Sequence, residues 1–98
     1  MATEYIELAH PGEMLKEDVL APLGISQNRL TEATGIPKSA ISEIVNGKRA
    51  FTADTSIRIG RALGMSEGYW LRLQSDYDLR LAMQGSEGLE IGQIVVTQ

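Results

Sequence analysis

Four side chains able to hydrogen-bond, Lys38, Ser39, Ser42 and Glu43, recur three and four residues apart, the spacing that gathers them on one face of a helix. Such a face can address the edges of base pairs. Lysine donates to guanine O6 and N7, serine donates or accepts, and a carboxylate accepts from cytosine N4 while phosphates repel it. Glu43 is therefore expected deep in a groove or not engaged at all. Around this set stand residues suited to a phosphate chain. Ser26 and Gln27 would open a helix whose dipole and free N–H groups favour an anion, and Asn46, Lys48 and Arg49 flank the other side. Any one of Lys38, Lys48 and Arg49 alone would read as solvated surface; three around one motif read as contacts.

Other chemistry is poorly supplied. The chain has no cysteine and a single histidine, His10. A disulfide framework, a thiolate zinc site and a cysteine nucleophile are excluded, and a zinc site on His10 would need three carboxylates as well. No metal and no cofactor are expected. His10 precedes Pro11, where it shapes the entry to a helix rather than acid–base chemistry. Asp76 and Asp78, two apart on a helix, point in different directions. Gly85, Gly88 and Gly92 lack both the spacing and the strand-to-helix setting of a phosphate loop. The sequence predicts a protein that is not an enzyme.

With 98 residues, one core must carry the stability, and an aromatic fraction of 5% leaves aliphatic side chains to build it. The net charge of −4 argues at first against a nucleic-acid partner. Its distribution argues the other way. Residues 26–61 carry Arg29, Lys38, Lys48, Arg49, Arg58 and Arg61 against Glu32, Glu43 and Asp54, while residues 1–25 set Lys16 alone against Glu4, Glu7, Glu13, Glu17 and Asp18. A basic centre between acidic ends suits one face for DNA and another for a second partner. The absence of a basic stretch followed by an apolar run, and of eighteen consecutive apolar residues, predicts a cytoplasmic protein with no membrane association.

The elements that must position these residues are helices. Met14, Leu15, Val19 and Leu20 predict a first helix over 11–20, ending before Pro22. Ser26 is a good N-cap for a second, with Leu30, Ala33 and Thr34 inward, and Gly35 stops it. Pro37 opens a third, in which Ala40, Ile41, Ile44 and Val45 form the apolar stripe opposite the polar four, closing at Asn46-Gly47. Thr52 caps a fourth through Leu63, with Ala53, Ile57, Gly60 and Leu63 toward the core; Gly60 costs about 1 kcal/mol unless two backbones meet there. Ser66 opens a fifth, running to about Met83, with Trp70, Leu73, Tyr77 and Leu81 in one stripe. After Gly85 the run Leu89-Glu90-Ile91-Gly92-Gln93-Ile94-Val95-Val96 is β-prone but has no partner strand, so it is either a frayed tail or a strand that pairs with another chain. The expected organisation is all-α: a five-helix domain over 1–84 and a tail over 85–98.

Two short helices joined at Gly35-Ile36-Pro37 have the geometry that sets the second in a major groove. The string SQNRLTEATGIPKSAISEIVNGKRA resembles the phage-repressor or XRE type of helix-turn-helix, although Thr31 stands where that family usually has alanine and Pro37 where it often has serine or threonine. HPGEMLKE, NGKRAFTADTSIRIGRALGMS and YWLRLQSDYDL are together similar to HigA antitoxins of toxin–antitoxin modules, over about residues 10–83. That resemblance implies a five-helix homodimer that binds a palindromic operator in double-stranded DNA, represses its own operon and neutralises a HigB-like messenger-RNA endonuclease. The stripe Trp70, Leu73, Tyr77 and Leu81 is the expected dimer interface, being too apolar to leave wet. A stand-alone repressor without a toxin, and a protein-binding module that has lost DNA affinity, are the alternatives open to the chain.

Overall fold

The computed structural model describes residues 8–95, so Glu4, Glu7 and Val96 lie outside the described residues. Five helices follow one another. The first, α1, starts as a regular helix at Pro11–Met14, widens into a π-helical turn over Leu15–Leu20 and ends with Ala21–Leu23. Then come α2 (Gln27–Thr34), α3 (Lys38–Val45), α4 (Ala53–Leu63) and α5 (Tyr69–Gln84). Among the described residues there is no strand, and no helix is long and apolar enough to cross a membrane.

Local chemistry sets most boundaries. The Nδ1 atom of His10 accepts from the Gly12 N–H at 2.9 Å and caps α1, with Pro11 in the first helical position. Thr52 and Thr55 form a reciprocal capping box at the start of α4. Gly64, with φ of 68°, ends that helix. The expected stop before Pro22 does not occur. Proline has no N–H to give and would crowd the carbonyl four residues back in a continuous α-turn. Here the π register, in which the Ala21 N–H bonds the Lys16 carbonyl, brings Pro22 in near the start of a fresh α-turn. Likewise α5 begins at Tyr69, after a turn, rather than at a Ser66 cap.

The core comprises Leu15, Leu20, Leu30, Ile36, Ile41, Ile44, Val45, Phe51, Ile59 and Trp70. Every helix contributes to it. Trp70 is only 2% exposed and its ring stacks on Phe51 at 5.3 Å between centroids. This corrects the expectation that Trp70 forms a dimer interface: the Phe51 that covers it lies nineteen residues away, in the α3–α4 connection, and the stacked pair closes the domain from within. The inward face of α4 also differs. Ser56, Ile59 and Gly60 are buried, whereas Ala53 is exposed and Ile57 is at the surface. Burial of Ser56 is stabilised by two partners, since its Oγ donates to the Glu67 carbonyl at 2.6 Å and accepts from the Leu71 N–H at 3.0 Å. A Cβ on Gly60 would lie 2.8 Å from the Ser66 carbonyl oxygen, so the glycine marks a close approach of backbones. A tighter one joins α1 to α3, where a Cβ on Gly12 would fall 1.6 Å from the carbonyl oxygen of Ile44.

Past Gln84 the chain turns and continues without regular structure to residue 95, with Leu89, Ile91, Ile94 and Val95 all well exposed.

Candidate nucleic-acid interface

The connection between α2 and α3 is fixed by side chains as well as by backbone. Thr34 Oγ1 donates to the Leu30 carbonyl at 2.7 Å and accepts from the Ile36 N–H at 3.2 Å, tying both ends of the turn to one hydroxyl. Gly35 takes a φ of 76° and its N–H bonds the Thr31 carbonyl at 2.9 Å. That is a left-handed helix end, which glycine enters without the Cβ penalty. Ile36, 4% exposed, plugs the turn into the core. From α4, Arg58 Nη1 donates to the Thr34 carbonyl at 2.9 Å while its Nε pairs with Asp54. Arg58 was not among the residues singled out from the sequence. Its only sequence sign is the Asp54–Arg58 spacing of four, which describes the ion pair and not the reach across to α2.

Held this way, α3 buries Ile41, Ile44 and Val45 and turns its other face outward. Lys38 and Ser39 are exposed in its first turn, and Ser42 and Glu43 are partly exposed one turn later. Pro37 supplies no side-chain cap, so the first N–H groups of α3 point from the same end as Lys38 and Ser39. Ser42 Oγ accepts from Asn46 Nδ2 at 3.4 Å. Glu43 Oε1 is engaged differently: it accepts from Arg49 Nη2 at 3.0 Å in an ion pair with both side chains about half exposed. Ser26 Oγ accepts from the Arg29 N–H at 3.1 Å, which caps α2, and Gln27 follows it, half-buried, in the first turn. Asn46, Lys48 and Arg49 lie in the exposed loop after α3. Among the described residues neither Lys38, Lys48 nor Arg29 is ion-paired, so their charge is available to a partner.

The loop after α3 is itself anchored from α5. Gln74, 3% exposed, accepts the Phe51 N–H on Oε1 at 2.9 Å and donates through Nε2 to Asp78 at 3.0 Å. Nothing in the local pattern of α5 announces that role, because the partner is 23 residues away.

A helix-turn-helix family model matches residues 15–70. The chain belongs to the helix-turn-helix family. It is 42% identical over 82 residues to virulence-associated protein I of Dichelobacter nodosus, covering 84% of this chain and 76% of that protein. It is 40% identical to antitoxin HigA-1 of Vibrio cholerae, over 69% of this chain and 64% of the relative. The structure of a Pseudomonas aeruginosa HigA antitoxin, solved with the higBA promoter, superposes with a TM-score of 0.75 at 35% identity, over 80% of this chain and 85% of the other. The resemblance to HigA-type antitoxins read from the sequence is thereby borne out, as is the five-helix fold.

Proposed function

We propose that this protein is an autorepressing antitoxin. As a dimer it binds a palindromic operator, one α3 per subunit in the major groove, and through a separate surface it neutralises a HigB-like messenger-RNA endonuclease. The observation that carries the DNA reading is the outward face of α3. Lys38, Ser39 and Ser42 offer donors to base edges there, with the unpaired Lys48 and the α2 N-terminus at Ser26 and Gln27 aimed at backbone phosphates on either side. Two-fold symmetry then sets half-sites about 34 Å apart, one helical turn of DNA. That the Pseudomonas aeruginosa relative was solved with its promoter supports DNA binding by this chain.

For the dimer, Leu73 and Tyr77 are partly covered and Leu81, on the same face of α5, is 44% exposed. That face of α5 is the surface we assign to the second subunit. The acidic residues Glu17 and Asp18 of α1 are exposed and offer a differently charged surface for a toxin.

The test has two arms. Promoter DNA is titrated at two salt concentrations, where real phosphate contacts must weaken as salt rises. A tagged toxin encoded beside this gene is co-expressed and pulled down, with growth as the second readout. Promoter binding, co-purification and restored growth support the whole reading. Promoter binding without toxin capture reduces it to a plain repressor, and toxin capture without salt-dependent DNA binding leaves a protein-binding module.

A further inference from the structure

We propose that Glu43 is a positioning residue and not a base reader: it holds the loop after α3 so that Arg49 is carried, already aimed, at the rim of the groove. This rests on the reading of α3 as the DNA-facing helix. Two atoms of Glu43 bind that loop. Its carbonyl oxygen accepts the Lys48 N–H at 2.8 Å, and its Oε1 accepts Arg49 Nη2 at 3.0 Å. Between them the chain reverses at Gly47, whose φ is 73° and whose N–H bonds the Ile44 carbonyl at 3.0 Å. Backbone and side chain of one residue thus fix both Lys48 and Arg49, the two cations of the loop.

Electrostatics gives the pair its purpose. A carboxylate on a DNA-facing helix is repelled by phosphates, and a guanidinium bound to it offsets that repulsion while keeping further N–H donors free. Arg49 is long and, unpaired, would sample many rotamers; paired, it meets a phosphate with less ordering left to do. Glu43 also stands one turn beyond Lys38 and Ser39, toward the end of the helix, whereas base edges are met mainly by the N-terminal residues of a recognition helix. Because both side chains are about half exposed, the pair does little for fold stability, and its effect is expressed in binding.

The experiment is a double-mutant cycle on the full-length dimer, read against promoter DNA, single-base-substituted promoters and random DNA. Arg49→Ala in the wild-type background should lower promoter affinity by about tenfold, by a similar factor for every substituted promoter, and flatten the salt dependence by about one unit. In a Glu43→Ala background the same change should cost no more than about twofold, since Arg49 is no longer held. Glu43→Gln, which keeps an acceptor for Arg49, should restore most of the contribution of Arg49 to affinity. The proposal is overturned if Glu43→Ala relaxes selectivity at one base pair alone, which marks a base reader, or if Arg49→Ala costs the same in both backgrounds. A wild-type protein with no preference for its promoter refutes the DNA-binding reading itself, and this proposal with it.

Discussion

Replacing Gly12 by alanine tests the link between the core and the DNA-facing helix, because two effects predict opposite signs. Alanine is the better helix former, by about 1 kcal/mol in a helix interior, so local propensity alone predicts stabilisation. The packing predicts the reverse. A Cβ at Gly12 lies 1.6 Å from the Ile44 carbonyl oxygen and 2.5 Å from its carbon, both backbone atoms that no rotamer change can move. Ordinary contact begins at 3.4 Å, so α1 and α3 must part by about 1.8 Å along that line, while a gap of about 1 Å already forfeits up to half of a dispersion contact. Leu15, Ile41 and Ile44, fully buried between these helices, would lose that packing together. The expected loss is about 3 kcal/mol, at the upper end of overpacking costs. For a domain of this size that lowers Tm by about 12 °C or more. Thermal melts followed by circular dichroism measure it, with Gly88→Ala as control, since a Cβ there meets nothing within 4 Å. Promoter affinity should fall alongside, because Ile44 belongs to α3. A Gly12→Ala protein that melts at or above the wild-type temperature would refute the argument.

Three further outcomes follow from other parts of the molecule. Trp70→Ala should cost about 3–5 kcal/mol and abolish cooperative unfolding, the signature of a core residue and not of an interface; a folded monomer would contradict this. Leu81→Asp, at an exposed position on α5, should convert dimer to monomer in sedimentation while helix content stays constant; a persistent dimer would move the interface elsewhere. Burial lowers the pKa of His10, against the opposing charges of Glu13 and Asp78, and protonating Nδ1 would also break the cap to Gly12. A folded pKa below the unfolded 6.5 means the unfolded chain binds the proton first, so this contribution is complete above 6.5 and is lost as pH falls through the folded value. Urea midpoints should therefore drop further on acidification for the wild type than for His10→Asn, and parallel curves would count against it.

The boundaries that short-range chemistry controls were legible from the sequence. Ser26, Gly35, Thr52 and Gly64 each stand where their side chain or their lack of one completes a helix end, and each acts on neighbours within four residues. The turn of the motif and the inward stripe of α3 followed from the same local rules. What escaped were the features set by distant partners. Hydropathy favours Ile57 over Ser56 for the inside of α4, yet Ser56 is buried because α5 and its preceding turn supply two hydrogen bonds to it. Ala33, expected inward, is exposed, while Leu30 and Thr34 are the buried residues of α2. Trp70 looked like interface because Phe51 could not be seen above it, and Arg58 and Gln74 act across 24 and 23 residues respectively.

An acidic chain can present a DNA-binding face because pairing, and not only composition, decides which charges reach solvent. Of the nine lysines and arginines, Arg49, Arg58, Arg61 and Arg80 are ion-paired. Among the described residues, Lys16, Arg29, Lys38, Lys48 and Arg72 are left without an acidic partner, and three of these five lie within the helix-turn-helix and its following loop. Asp54 and Glu67, which would otherwise weaken the field around α4, spend their charge on Arg58 and Arg61. Of the acidic residues of α1, Glu13 lies against Gly47 in the loop after α3, and its charge, like the others, acts over a screening length of about 8 Å at physiological salt. Lowering the ionic strength lengthens that range and strengthens two opposing effects, attraction of the free cations to phosphate and repulsion from the acidic helices. The slope of affinity against salt therefore falls below what the count of cations in the motif implies, and neutralising Glu17 and Asp18 on α1 should steepen it without adding a single contact to DNA.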